Sequence, residues 1–317
     1  STGGLALAGL GAAKTWRARQ AQSLASEGTL SVTVEGKRLA YVTAGAGPPL
    51  VLIHGASGNH RDWTFGLIER LGATHRVFAF DRPGMGASDA PHPVWSIGEQ
   101  ARLLRAAMAK LGHAKVQLIG HSYGGSVALA WAVAAPQQVR TLMLISAPSH
   151  IWPGPVGGLY DLTNTPVIGY AFSHIVPFAA TKGRIQASIE SIFAPQSPPP
   201  GYGSHIRPEL ITDPARYRRN AAQVGVLKDQ LRPIIPAYPS LPMPIALLHG
   251  TADTIVPLQT HAQPFAERVA HARLTALDGV GHMPHHVAPD VMVNTLAELG
   301  AELGAELGAE LGAGLGR

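Results

Sequence analysis

Short apolar runs recur along the chain, each bounded by Gly, Pro, Ser or Asp. Leu30–Val34 and Lys37–Thr43 flank Glu35-Gly36 and predict an early hairpin. Leu50–Ile53, Arg76–Phe80, Val116–Ile119, Thr141–Ile145, Ile245–Leu248 and Arg273–Leu277 follow. These later runs are apolar at consecutive positions, as strands buried on both faces of a parallel sheet must be. Longer stretches with helical periodicity separate most of them, for example Ser96–Leu111 and Ser122–Ala135. Repeated strand–helix units predict an α/β fold: a doubly wound, mostly parallel sheet of about eight strands, covered on both faces. Ligands bind such sheets outside the carboxyl ends of the strands. The residues just after each run therefore carry the chemical information.

One region breaks the rhythm. Residues 150–240 hold 13 of the 26 prolines and 9 of the 19 aromatics, without a strand pattern. They are expected to form a helical cap inserted into a core built from 30–149 and 241–297, with aromatics roofing the site or packing the cap's own core. Ser197-Pro-Pro-Pro-Gly201 is a loop by composition.

The two ends read differently. Gly3–Ala13 is apolar and is followed by Lys14, Trp16, Arg17 and Arg19. That run is shorter than the about 20 residues needed to span a membrane. Its basic residues follow the apolar run, whereas those of a secretory signal precede it. The tail 1–29 is read as the remnant of a membrane anchor or an amphipathic helix, giving weak membrane association and a cytoplasmic or membrane-anchored protein. Ala297-Glu-Leu-Gly repeats four times through Gly312. This places successive leucines within about 40° on a helix, with a glycine in every turn to weaken it. Residues 298–317 are read as a repeat tail without chemistry.

Composition narrows the chemistry. With 317 residues, 46% apolar and 14% charged, the chain can bury a large single core. It contains no cysteine, which excludes disulfides, thiolate catalysis and iron–sulfur clusters. Its pI is near 9.6, yet 25 cations against 20 anions along the whole length is a weak excess. No nucleic-acid partner is expected. No pattern fixes an oligomeric state.

Gly120-His121-Ser122-Tyr123-Gly124 follows an apolar strand and precedes a good helix opening. A serine in so tight a strand-to-helix turn leaves no room for side chains two residues before and after it, so both are glycine. The turn presents the hydroxyl at a helix N-terminus, where the dipole favours developing negative charge. Ser122 is the candidate nucleophile. A serine nucleophile needs a base, and the base needs an orienting acid. Asp253 follows the Ile245–Leu248 run and His282 follows the Arg273–Leu277 run. Asp229 and Asp278 are rivals for the acid, and Asp253 also reads as a turn residue. His285 and His286 rival His282. As a metal tract they lack a well-placed carboxylate, so they are read as loop or helix-start residues. Ala56, in the His54–Gly58 turn, and Tyr123 are the candidate backbone donors of an oxyanion hole. His54 and His121 are expected to be packed and hydrogen-bonded, and Asp81–Ser88 to be a turn beneath the site.

These motifs resemble those of the α/β-hydrolase superfamily, in particular bacterial serine esterase-like and lipase-like members with a helical cap. The matching stretches are His54–Gly58 with Trp63, Asp81–Ser88, Gly120–Gly125, Gly250–Asp253 and Gly281-His282. The resemblance covers residues 30–297. It implies a Ser122–His282–Asp253 triad, and Ser122 stands where epoxide hydrolases and haloalkane dehalogenases carry aspartate. Such relatives often begin with a membrane-anchor helix. The expected reaction is hydrolysis of a small carboxylic ester through an acyl-enzyme, on an uncharged aliphatic or aromatic substrate, with no metal or organic cofactor. Other reactions of the same triad are C–C bond, lactone or amide hydrolysis and perhydrolysis. An anionic dienoate would need an arginine such as Arg184, Arg207 or one of Arg216–Arg219 facing the pocket. A non-catalytic ligand-binding homologue is the remaining class.

Overall fold

Eight strands pair into one sheet in the computed structural model, which describes residues 28–89, 96–154, 181–210 and 213–315. They are β1 (Leu30–Val34), β2 (Lys37–Ala44), β3 (Pro49–Ile53), β4 (Arg76–Phe80), β5 (Val116–His121), β6 (Val139–Ile145), β7 (Ile245–Gly250) and β8 (Ala272–Leu277). The order is β1-β2-β4-β3-β5-β6-β7-β8. The β1–β2 hairpin pairs antiparallel with itself and with β4, and every other pairing is parallel. Each apolar run became a strand. β5 and β7 continue two residues past theirs, through Gly120-His121 and His249-Gly250.

Eleven α-helices are described. They are α1 (Arg61–Thr64), α2 (Ile68–Gly72), α3 (Ile97–Lys110), α4 (Tyr123–Ala134), α5 (Lys182–Phe193), α6 (Tyr202–His205), α7 (Pro214–Gly225), α8 (Leu227–Leu231), α9 (Ala262–Arg268), α10 (Pro284–Val287) and α11 (Pro289–Leu315). Alternate strand residues divide between two faces, as the pleat requires. Val51, Ile53, Phe78, Phe80, Leu142 and Leu144 join the core under α3, α4 and α9. Leu50, Leu52, Val77, Ala79, Met143 and Ile145 join the core under α1, α2 and α11. This two-sided burial is why those runs carry no polar alternation. α3 starts where Ser96 Oγ accepts the Glu99 N–H at 3.0 Å as an N-cap.

The last helix does not end with the core at residue 297. α11 continues through the repeat, and Leu299, the first repeat leucine, is fully buried with Leu296 and Met292. Packing supplies what a glycine-rich helix lacks alone. Arg273 on β8 adds contacts to Glu298 at 3.6 Å and Glu302 at 3.0 Å.

The segment expected to cap the site contributes α5–α8, all helical, between β6 and β7. α7 begins at Asp213, whose side chain accepts the Arg216 N–H, with Pro214 in its first turn. Arg216, Arg219, Asn220 and Gln223 recur at three- and four-residue spacing and share one helix face. That face docks on backbone carbonyls: Arg216 Nε donates to Gly86 O at 3.1 Å, Arg219 Nε to Gly84 O at 3.2 Å, and Gln223 Nε2 to Pro83 O at 3.1 Å. No described helix is long and apolar enough to cross a membrane. The anchor reading of residues 3–13 lies outside the described residues.

Candidate active site

Ser122 sits between β5 and α4 with φ 51° and ψ −126°, a region few residues with a side chain adopt. The flanking glycines are a steric necessity. A methyl carbon on Gly120 would lie 2.5 Å from Gly124 O, and one on Gly124 would lie 2.2 Å from Ile53 O. The strained turn is held by Ser122 N–H donating to Ile145 O at 2.8 Å.

His282 follows β8, and its Nε2 lies 3.0 Å from Ser122 Oγ. Its Nδ1 lies 2.8 Å from Asp253 Oδ2. The three side chains are buried together. Asp253 Oδ1 accepts the backbone N–H groups of Ile255 and Val256, each at 2.9 Å. The aspartate is thus both a turn residue and the partner of His282. Burial pushes its carboxyl up, but hydrogen bonds from His249 and His282 hold it well below the usual carboxylate range. His249 donates from Nε2 to Val256 O at 2.7 Å and approaches Asp253 Oδ2 at 3.5 Å. The two rivals stand elsewhere: Asp278 accepts from Thr251 Oγ1 at 3.3 Å, and Asp229 lies on α8.

Ala56 lies in the loop after β3, beside Ser122. A side-chain carbon on its neighbour Gly55 would come within 3.1 Å of Ser122 Cβ. Ser57, at φ 54°, donates its N–H to Asn220 Oδ1 at 2.7 Å, and Asn220 Nδ2 returns a bond to Ser57 Oγ at 2.9 Å. Tyr123 opens α4, where backbone N–H groups point out of the helix end. His54 accepts the Arg82 N–H on Nε2 at 3.0 Å, so its Nδ1 carries the proton and donates to Gly55 O at 2.8 Å. Burial, with Arg82 nearby, lowers its pKa to about 3 and keeps it neutral.

The histidine tract departs from expectation. A carboxylate does accompany it: Asp62 on α1 lies 2.8 Å from His286 Nε2 and 3.4 Å from His285 Nε2. Tyr202 OH also donates to Asp62 Oδ1 at 2.8 Å. Ligand-type atoms of the three residues lie within 4.8 Å of one another. Three donors reach its two oxygens, so the buried Asp62 carboxylate is fully hydrogen-bonded. Burial pushes its carboxyl up, and His285 and His286 outweigh that and hold it well below the usual range. Beside this cluster, His121 donates from Nε2 to the His282 carbonyl at 3.0 Å. Burial, with His285 and His282 packed against it, holds its pKa well below the usual imidazole value. It packs as expected, against the ring of His282.

Sequence reasoning missed Asp62, His249 and Arg82. His249 ends a strand and was visible there. Asp62 meets its partner 223 residues away, and no local signal marks it.

The sequence profile of the α/β-hydrolase fold family matches residues 48–289. The chain is 28% identical over 264 residues to an uncharacterized protein of Mycobacterium tuberculosis, covering 81% of this chain and 76% of that one. It is similar in fold to a 2-hydroxy-6-oxo-6-phenylhexa-2,4-dienoate hydrolase from Rhodococcus, with TM-score 0.70, 23% identity and coverage of 86% and 97% of the two chains. An esterase from Rhodococcus matches with TM-score 0.64, 23% identity and coverage of 87% and 99%.

Proposed function

The chain belongs to the α/β-hydrolase fold family, and on that premise we propose that it hydrolyses carboxylic esters through an acyl-enzyme on Ser122. The observation that carries the reading is the unbroken relay from Ser122 Oγ to His282 to Asp253, at 3.0 and 2.8 Å, on a strained elbow. Ser122 Oγ attacks the ester carbonyl while His282 Nε2 takes its proton, and Asp253 stabilises the imidazolium. The Ala56 and Tyr123 N–H groups receive the oxyanion. The intermediate collapses, the alcohol leaves with the proton from His282, and the acyl group stays on Ser122. Water, deprotonated by His282, then releases the carboxylic acid and restores the serine.

A second reading is C–C bond hydrolysis of an anionic dienoate, favoured by the likeness to a dienoate hydrolase. Two of its candidate arginines argue for an uncharged substrate instead, because Arg216 and Arg219 direct Nε at the Gly86 and Gly84 carbonyls. The test is hydrolysis of p-nitrophenyl esters from acetate to palmitate, wild type beside Ser122→Ala. Activity lost in the variant supports the reading, and the chain-length optimum sizes the acyl pocket. A folded wild type inactive at every length, yet active on a dienoate, would replace the first reading with the second.

A further inference from the structure

Arg82 lies two residues past the end of β4 and is completely buried. Its guanidinium reaches three parts of the site at once. Nε donates to His54 O at 3.0 Å and Nη2 to Gly55 O at 3.0 Å, both in the loop that carries Ala56. Nη1 donates to Gln100 Oε1 at 2.9 Å on α3 and to Gln223 Oε1 at 2.8 Å on α7. Its central carbon stands 4.4 Å from the centre of the Tyr123 ring. Gln100 in turn donates to Tyr123 OH at 3.1 Å.

We propose that Arg82 is the positioning residue of the oxyanion hole, holding the 55–56 peptide so that the Ala56 N–H faces the reacting carbonyl. In a trans peptide the carbonyl and the following N–H point in opposite directions. Gly55 O is fixed by two donors, Arg82 Nη2 and His54 Nδ1. Its orientation therefore sets that of the Ala56 N–H. This peptide borders the nucleophile, since a carbon on Gly55 would lie 3.1 Å from Ser122 Cβ.

The same cation packs on the ring of Tyr123, whose own N–H is the second donor. The four acceptors named are neutral carbonyl or amide oxygens. Asp81, its sequence neighbour, spends its carboxylate on His60 and the Ala87 N–H. Burying a cation among neutral acceptors is costly. It supplies positive potential beside both oxyanion donors, where a developing negative charge gains most. Gln223 extends the clamp to α7, so the inserted helices and the oxyanion loop share one guanidinium.

The inference rests on the serine-hydrolase reading, and the test separates the two. The readout is the rate at which a fluorophosphonate labels Ser122, measured from pH 5 to 9 beside kcat and KM on a p-nitrophenyl ester. Absent labelling of folded wild type sinks the serine reading. With wild type labelled, folded Arg82→Lys keeps the charge but loses the fork. Its labelling rate and kcat are expected to fall about 100-fold, with KM changed less than about threefold. The apparent pKa of the profile should stay at the wild-type value, because His282 and Asp253 are untouched. Labelling and kcat within about twofold of wild type would overturn the inference. A merely structural role would lower the labelled fraction without lowering the rate of the folded molecules, and would overturn it too. Should Arg82→Lys fail to fold, Gln223→Met removes one acceptor and leaves the arginine. A labelling rate reduced about fivefold or more supports the inference, and a wild-type rate contradicts it.

Discussion

Asp253 holds His282 with one carboxylate oxygen and the backbone with the other. Oδ2 lies 2.8 Å from His282 Nδ1, while Oδ1 accepts the Ile255 and Val256 N–H groups. The aspartate cannot swing away from the imidazole without breaking its own turn. A rigid acid fixes the tautomer in which His282 Nε2 accepts from Ser122.

Replacement by asparagine tests that relation. Asp253→Asn presents an amide that cannot stabilise the imidazolium and invites the wrong tautomer. We expect kcat to fall by about 10³- to 10⁴-fold with KM little changed. Steady-state kinetics on the preferred p-nitrophenyl ester checks this, and a fall of less than about tenfold would contradict the assigned role.

Gly124→Ala tests the elbow sterically. The added methyl would sit 2.2 Å from Ile53 O, a backbone atom in the central sheet. The loss should be about 2–4 kcal/mol of stability, read as a lower urea midpoint. An unchanged midpoint would mean the turn can open, against the packing described.

Acid should destabilise the fold before the carboxylates titrate. Burial lowers His54 and His261 to about 3 and His285 to about 4, with Arg82 adding to the shift at His54. In the unfolded chain the same groups titrate near 6.5. Between those values the unfolded state holds more protons, so stability is lost as pH falls below about 6.5. Asp62, Asp81 and Asp253, held low when folded, add in the same direction below about pH 4. Tm should therefore drop steadily from pH 7 to 4.5, by on the order of 10 °C. A Tm that is flat or rises over that range would refute the neutral buried histidines.

Leu299→Ala tests whether the repeat is part of the core. The side chain is fully buried against Leu296 and Met292. Its loss should cost about 2–4 kcal/mol in denaturant unfolding. A cost under about 0.5 kcal/mol would return the repeat to the status of a tail.

The legible parts of this chain are those set by local rules. Every strand was readable because two-sided burial writes a continuous apolar run, and the elbow was readable because Gly120 and Gly124 have no room for a side chain. Three features were not. The docking of Leu299 depends on a partner surface that a four-residue period does not reveal. Asp62 joins His285 and His286 only through the packing of α1 against α10. Arg82 sits in a stretch that reads as a turn, and nothing local says which carbonyls a buried guanidinium will meet.

A covalent acyl group on Ser122 is the signature of the proposed reaction. The direct measurement is intact-mass and peptide analysis of protein quenched with acid during turnover of p-nitrophenyl butyrate. A butyryl adduct is expected on the peptide containing Ser122, absent from Ser122→Ala, together with loss of turnover in that variant. Turnover at the wild-type rate in Ser122→Ala, or an adduct on another residue, would contradict it.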